Sequence, residues 1–355
     1  MKVSGFLAVV LMLTFQPASG QDVPKLPCAD KDKECALRAM RSHAVGKIDT
    51  WKASLSVPVG DRLGPAPPQL VEYINLDNIL NGFPERPRPA KLDADLLADV
   101  KGAIADLPSA IWNLFGERLV GLYFVDGLGG TGYSDYVFDQ NSKPVAAFVV
   151  LDAAVLAQQR ANAWATWKEN TPFKAGARYK LDVRIEADDN DNRRNAIQYI
   201  LLHELGHVFS VAANIHPPWN LRPKEVGRSA KYPFFDLSWK IDRKADKYRT
   251  VFDANFPRRT KTVYYFGAKL AAADMVPTYT RLKNTNFPSL YAATSPGDDF
   301  AESFASFVHV VLMHRPWQIT ISRDGEVVDV FKSCWGEMRC ARKQDILEQL
   351  LKRSS

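Results

Sequence analysis

His203-Glu204-Leu205-Gly206-His207 is the stretch on which the reading of this chain turns. On a helix, residues four apart lie one above the other, so the imidazoles of His203 and His207 can reach one metal ion. Glu204 sits beside that face. It is poorly placed to share the metal but well placed to take a proton from a water next to it. Two imidazole nitrogens suit zinc, which lowers the pKa of a bound water to about 7 and polarises a carbonyl. Asp188 to Arg193 is a polar turn with helix-capping residues, and Pro217-Pro218 lies beyond the other end, so a helix is predicted from about Arg193 to Ala213. Ile197, Ile200, Leu201, Leu205 and Val208 bury much of its circumference. Polar groups in such a helix need partners to offset their desolvation, and a metal supplies them.

Outward from that helix, strands are predicted at Leu119–Val125, Tyr133–Phe138, Ala146–Leu151 and Tyr179–Ile185, after a helix at Leu92–Leu107. A second helix is predicted at Asp298–Met313. A hairpin about Asp324-Gly325 joins 318–322 to 327–331, and a final helix covers Asp345–Lys352. Several strands precede the main helix with no regular βα alternation, which is an α+β order. Residues 21–90 are broken up by proline, as in Asp61-Arg62-Leu63-Gly64-Pro65-Ala66-Pro67-Pro68. They are expected to be an irregular, extended region held partly by a cysteine loop, ahead of a catalytic domain at 91–355.

Residues 1–20 read as a signal peptide: Lys2, an apolar run from Gly5 to Phe15, then Ala18-Ser19-Gly20. No later segment reaches about 18 uninterrupted apolar residues, so no permanent membrane anchor is expected. Export, periplasmic or extracellular, agrees with four cysteines in two close pairs, Cys28 with Cys35 and Cys334 with Cys340. Near neighbours are the expected partners, although spacing alone leaves cross-pairing open. The net charge of +6 is a modest basic excess. No nucleic-acid motif accompanies it, so no nucleic-acid partner is expected. Gly127-Leu128-Gly129-Gly130-Thr131-Gly132 fits a dinucleotide-binding glycine pattern, but a strand follows it where that fold needs a helix. It is read as a loop joining strands.

The 203–207 motif resembles that of the zincin metallopeptidases. The metzincin branch needs Gly at 210 and His at 213, where this chain has Ser210 and Ala213; His216 lies too far along. Downstream, Asp298-Asp299-Phe300-Ala301-Glu302-Ser303-Phe304-Ala305 resembles the second helix of gluzincins. The segment 291–304 is similar to the catalytic domain of anthrax toxin lethal factor, in a tyrosine, a threonine, an acid and Phe-Ala-Glu-x-Phe at the same offsets. The resemblance implies a zincin-like α+β fold, with a mixed sheet packed on the active-site helix and a helical lower part. It implies one Zn2+, Asp298 as third ligand, Glu302 supporting a ligand histidine, and Tyr291 stabilising the oxyanion. Asp298 departs from the pattern, being one methylene shorter than the usual Glu. Reach therefore favours Glu302 as ligand, and both are candidates.

The expected function is an exported zinc metallopeptidase acting on a peptide or protein substrate, with Glu204 as general base. Two further readings stand beside it: a binding protein that keeps the site without turnover, and a secreted toxin or effector protease with one target. Substrate and oligomeric state are not legible in the sequence. One strand between Leu119 and Leu151 is expected to align substrate by backbone pairing. His309 and His314 are expected to be packing or surface residues.

Overall fold

The computed structural model describes residues 26–211 and 213–352, so the leader reading of residues 1–20 lies outside the described residues. The architecture is mixed α+β. A mixed sheet contains β1 (Leu63–Pro65), β2 (Arg88–Pro89), β3 (Leu119–Asp126), β4 (Gly132–Phe138) and β5 (Pro144–Asp152). The order is β1-β3-β5-β4, with β2 also on β3; β1, β3 and β5 run parallel, and β4 runs antiparallel to β5 at the edge. A second, antiparallel sheet joins β6 (Tyr179–Arg184), β9 (Gln318–Arg323) and β10 (Glu326–Lys332). A small hairpin pairs β7 (Trp239–Asp242) with β8 (Lys247–Thr250).

Ala146–Leu151 reads as an unbroken apolar run because its sheet is covered on both faces. Ala147, Val149 and Leu151 join Ile197, Leu201 and Leu205 of the helix Arg193–Ser210 in the main core. Ala146, Phe148 and Val150 pack with Leu70, Val71 and Ile74 on the opposite face. Asn192 caps the helix Arg193–Ser210, its side chain accepting from Asn195 N.

Residues 26–90 depart from the irregular region expected. They form helices at Lys33–Ser42 and Pro68–Asn81, and β1 pairs with the middle of β3. The prolines that suggested a linker mark boundaries. Pro68 occupies the first turn of a helix, where no N–H is needed, and Gly82 ends that helix in the left-handed region at φ 84°. Buried Leu70, Val71, Ile74 and Leu76 then anchor it to the sheet and the Cys28–Cys35 loop.

Both cysteine pairs are joined as near neighbours, Cys28–Cys35 and Cys334–Cys340. Two disulfides suggest an oxidising environment. Among the described residues no helix is long and apolar enough to cross a membrane. The predicted second helix divides into an α-helix at Pro296–Phe307 and a π-helical turn at Val308–Leu312. The last helix starts earlier than predicted, at Ala341.

Candidate metal centre

Two helices make the centre. Arg193–Ser210 carries His203 and His207, and Pro296–Phe307 crosses it closely. A β-carbon on Gly206 would lie 2.7 Å from Ala301 Cα, so only a glycine permits this approach. Nε2 of His203 and Nε2 of His207 are 3.2 Å apart, and Asp298 Oδ1 lies 3.9 and 3.8 Å from them. One ligand atom from each of the three falls within 4.8 Å of the others, so the group could hold a metal ion. Asp298 is held for this by its neighbours. Ser295 Oγ and Thr294 Oγ1 lie 2.7 and 3.0 Å from Oδ2, which leaves Oδ1 turned to the imidazoles. Burial drives the His207 pKa well below its ordinary value, which keeps its ring neutral, the form that binds metal.

Glu302 is placed one step behind this group. Its Oε1 lies 3.0 Å from His203 Nδ1 and 2.6 Å from Lys168 Nζ, and its Oε2 accepts from Ser289 Oγ at 2.7 Å. Its side chain is fully buried. Burial alone would raise the carboxyl pKa; the Lys168 ammonium and His203 outweigh it and hold the group anionic. A carboxylate behind a ligand histidine sets its tautomer, proton on Nδ1 and lone pair on Nε2.

Glu204 is buried between the helix and β4. Its Oε2 accepts from Ser134 Oγ, and a β-carbon at Gly132 would collide with its Oε1. Burial raises its pKa. Tyr291 stacks on the His203 ring, centroids 5.4 Å apart, and Lys168 Nζ lies 4.4 Å from the Tyr291 ring centre. Burial, with Asp298 adding to it, raises the phenol pKa far above its ordinary value, so the hydroxyl stays a donor.

A cleft of about 520 Å3 opens on one side of the group, walled by Asp77, Lys168, Tyr265, Phe266 and Tyr291. A smaller one of about 350 Å3 opens on the other, walled by His216, Trp219, Tyr248 and Gly297. Both are lined by Gly132, Tyr133 and Ser134 of β4. Asp152 N donates to Thr131 O, and Ala147, opposite Tyr136, turns its N–H to Arg118 O on the far side. Residues 131, 133 and 135 therefore bond inward to β5, and the backbone groups of Gly132 and Ser134 face the open edge.

The structure brings together His203, Glu204, His207, Asp298, Glu302 and Tyr291. His216 stands apart from the metal group; its Nδ1 is 2.8 Å from Pro217 O. His309 is buried with Nε2 2.7 Å from Ile185 O, and His314 is exposed. The glycine stretch 127–132 joins β3 to β4 with no helix after it. Residues 208–297 wall both clefts with Trp219, Tyr248, Tyr265 and Phe266, and include the short α-helix Met275–Leu282.

Sequence reasoning missed Lys168, Ser134, Ser289 and the role of Gly132. A signal for Lys168 existed. Ala161, Trp164, Ala165 and Lys168 fall at helical spacing and all are buried, which sets a lysine on an apolar face. No family model matches the chain, and neither a curated protein nor a solved structure matches it.

Proposed function

We propose that this protein is an exported zinc metallopeptidase. The observation that carries the reading is the placement of Glu204: buried beside the His203–His207–Asp298 group, at the point where two clefts meet under an open strand edge. Two imidazoles and one carboxylate are a donor set of catalytic zinc sites, and a zincin-like fold is the reading we give to the crossing helices and mixed sheet. When bound, zinc supplies a Lewis acid that acidifies a water and polarises the substrate carbonyl.

The chain's own residues do the rest. Substrate backbone pairs antiparallel to β4 through the outward groups of Gly132 and Ser134. Glu204 takes a proton from the attacking water and passes it to the leaving amine, while Ser134 holds the other carboxylate oxygen. Tyr291, kept protonated, donates to the carbonyl oxygen as negative charge develops there. Asp298 belongs to the metal, and Glu302 orients His203. The paired cysteines and the leader-like residues 1–20 support export.

The test compares the mature chain with Glu204→Gln. Both should retain about one zinc, and only the wild type should cleave a mixed peptide library, with kcat lower by at least about 10²-fold in the variant. Zinc in both without cleavage by either would sink the peptidase reading. A chain that holds no stoichiometric metal would sink the site.

A further inference from the structure

The helix Pro296–Phe307 carries two neighbouring stripes of polar residues. Asp298 and Glu302, four apart, face the imidazoles of the metal group. Asp299, Ser303 and Ser306 form the next stripe and are fully buried. One downstream segment grips that stripe at both ends. Trp335 Nε1 donates to Ser306 Oγ at 3.0 Å, and its ring centre lies 5.5 Å from that of Phe307. Lys343 Nζ pairs with Asp299 Oδ1, and both side chains are 0% exposed. Trp239 Nε1 donates to the other oxygen of Asp299 at 3.0 Å. The Lys343 ammonium also lies 5.0 and 4.9 Å from the ring centres of Phe234 and Phe287. A disulfide joins the two grips: Cys334 precedes Trp335, and Cys340 stands just ahead of the helix Ala341–Lys352, whose first turn holds Lys343. The other disulfide, Cys28–Cys35, packs with Ala36, Leu76 and Ile79 in a cluster apart from the main core.

The cross-link closes a short loop, so the grip on Ser306 fixes where the last helix begins and brings Lys343 to Asp299. Withdrawal of Lys343 would leave Asp299 charged and unpaired in the interior, one residue from Asp298. We propose that the Cys334–Cys340 bond assembles the metal centre: it sets Trp335 and Lys343 on the helix as positioning residues for Asp298, and the dithiol chain binds zinc only weakly. In the assembling step two thiols form one S–S bond. Their two protons and two electrons pass to a disulfide-bearing oxidant, which becomes a dithiol. Cys334 and Cys340 are 0% and 1% exposed once joined, which closes the bond to reductants. The step therefore runs in one direction, during folding. A chain in a reducing compartment lacks a working centre until it reaches an oxidising one. This inference rests on the metal reading of His203, His207 and Asp298, and not on peptidase activity.

The test compares wild type, Cys334→Ser/Cys340→Ser and Cys28→Ser/Cys35→Ser. Serine replaces each thiol so that no free sulfur can itself take metal. Chelator competition reads zinc affinity, and the visible spectrum of cobalt(II) bound in place of zinc reads the geometry of the site. Hydrogen exchange reads the opening of residues 296–307. Without Cys334–Cys340, zinc binding should weaken by about 10- to 100-fold, the range for losing support behind a ligand, with an altered cobalt spectrum and faster exchange. Loss of Cys28–Cys35 should change affinity by less than about threefold, since distant sites act independently. Trp335→Phe keeps the ring and both disulfides and removes one N–H; it should weaken zinc by about three- to tenfold. It decides alone if the Cys334→Ser/Cys340→Ser chain does not fold. Wild-type affinity in the Cys334→Ser/Cys340→Ser variant, or equal losses in the two cysteine variants, overturns the inference. A wild type that takes no stoichiometric metal removes the metal reading, and the inference with it.

Discussion

Glu302 Oε1 lies 3.0 Å from His203 Nδ1, while His203 Nε2 faces His207 and Asp298. The two acids of one helix thus act on opposite nitrogens of one ring, directly or across the metal group. Asp298→Ala removes a donor and is expected to abolish stoichiometric zinc binding. Glu302→Gln is expected to weaken it by about 10- to 100-fold, the usual effect of a partner behind a ligand. Chelator competition measures both. The reverse order would move the ligand role to Glu302.

Lys168 and Glu302 form an ion pair with side chains 6% and 0% exposed. Lys168→Met leaves a buried carboxylate without its counter-charge, and a loss of about 3–5 kcal/mol in folding stability is expected. The Lys168→Met/Glu302→Gln double variant removes both charges and should recover most of that stability. It should not recover zinc affinity, because His203 still lacks its anionic partner. Urea unfolding and zinc titration separate the two effects; recovery of both would reduce the pair to a structural role.

Two glycines are predicted to fail differently. Gly132→Ala pushes against Glu204 Oε1 at the strand edge, so zinc is kept while kcat falls by about 10²-fold. Gly206→Ala pushes against the Ala301 backbone, which has no room to yield, so stability falls by about 1–3 kcal/mol and zinc affinity falls with it. Melting curves and metal content on the same samples distinguish them. A Gly206→Ala protein as stable as wild type would contradict the close crossing.

His309 predicts an acid-side loss of stability. Its ring is 1% exposed, and burial, with Arg315 adding to it, pushes its pKa down to about 4 from an ordinary 6.5. Between those values the unfolded chain binds the extra proton and the folded chain does not. Stability is therefore full above pH 6.5 and declines as pH falls towards 4, by roughly 3 kcal/mol for the complete shift. His309→Gln keeps an N–H donor near the Ile185 carbonyl without the titration. It should flatten this part of the stability–pH curve, as measured by denaturant unfolding at pH 7 and 4.5. An unchanged slope would assign the acid sensitivity elsewhere.

Much of the fold is local and hence legible. The capped helix about His203 and His207 and the strands at 119–126, 132–138, 144–152 and 179–184 follow from periodicity and turn residues within short windows, and the close cysteine pairs make near-neighbour disulfides the expectation that the structure bears out. The N-terminal helices are not legible in this way, because proline at a helix start and proline in a linker look alike until buried leucines find a sheet to cover. The sequence by itself determined that two imidazoles share a helix face with a carboxylate beside it, since four residues advance about one turn. Only the tertiary structure decided which distant acid joins them, which lysine balances the acid behind, and which strand is left with an open edge. Those outcomes depend on contacts such as Gly206 against Ala301 and Lys168 against Glu302, between residues far apart in the chain, whose meeting is set by packing rather than by any local preference.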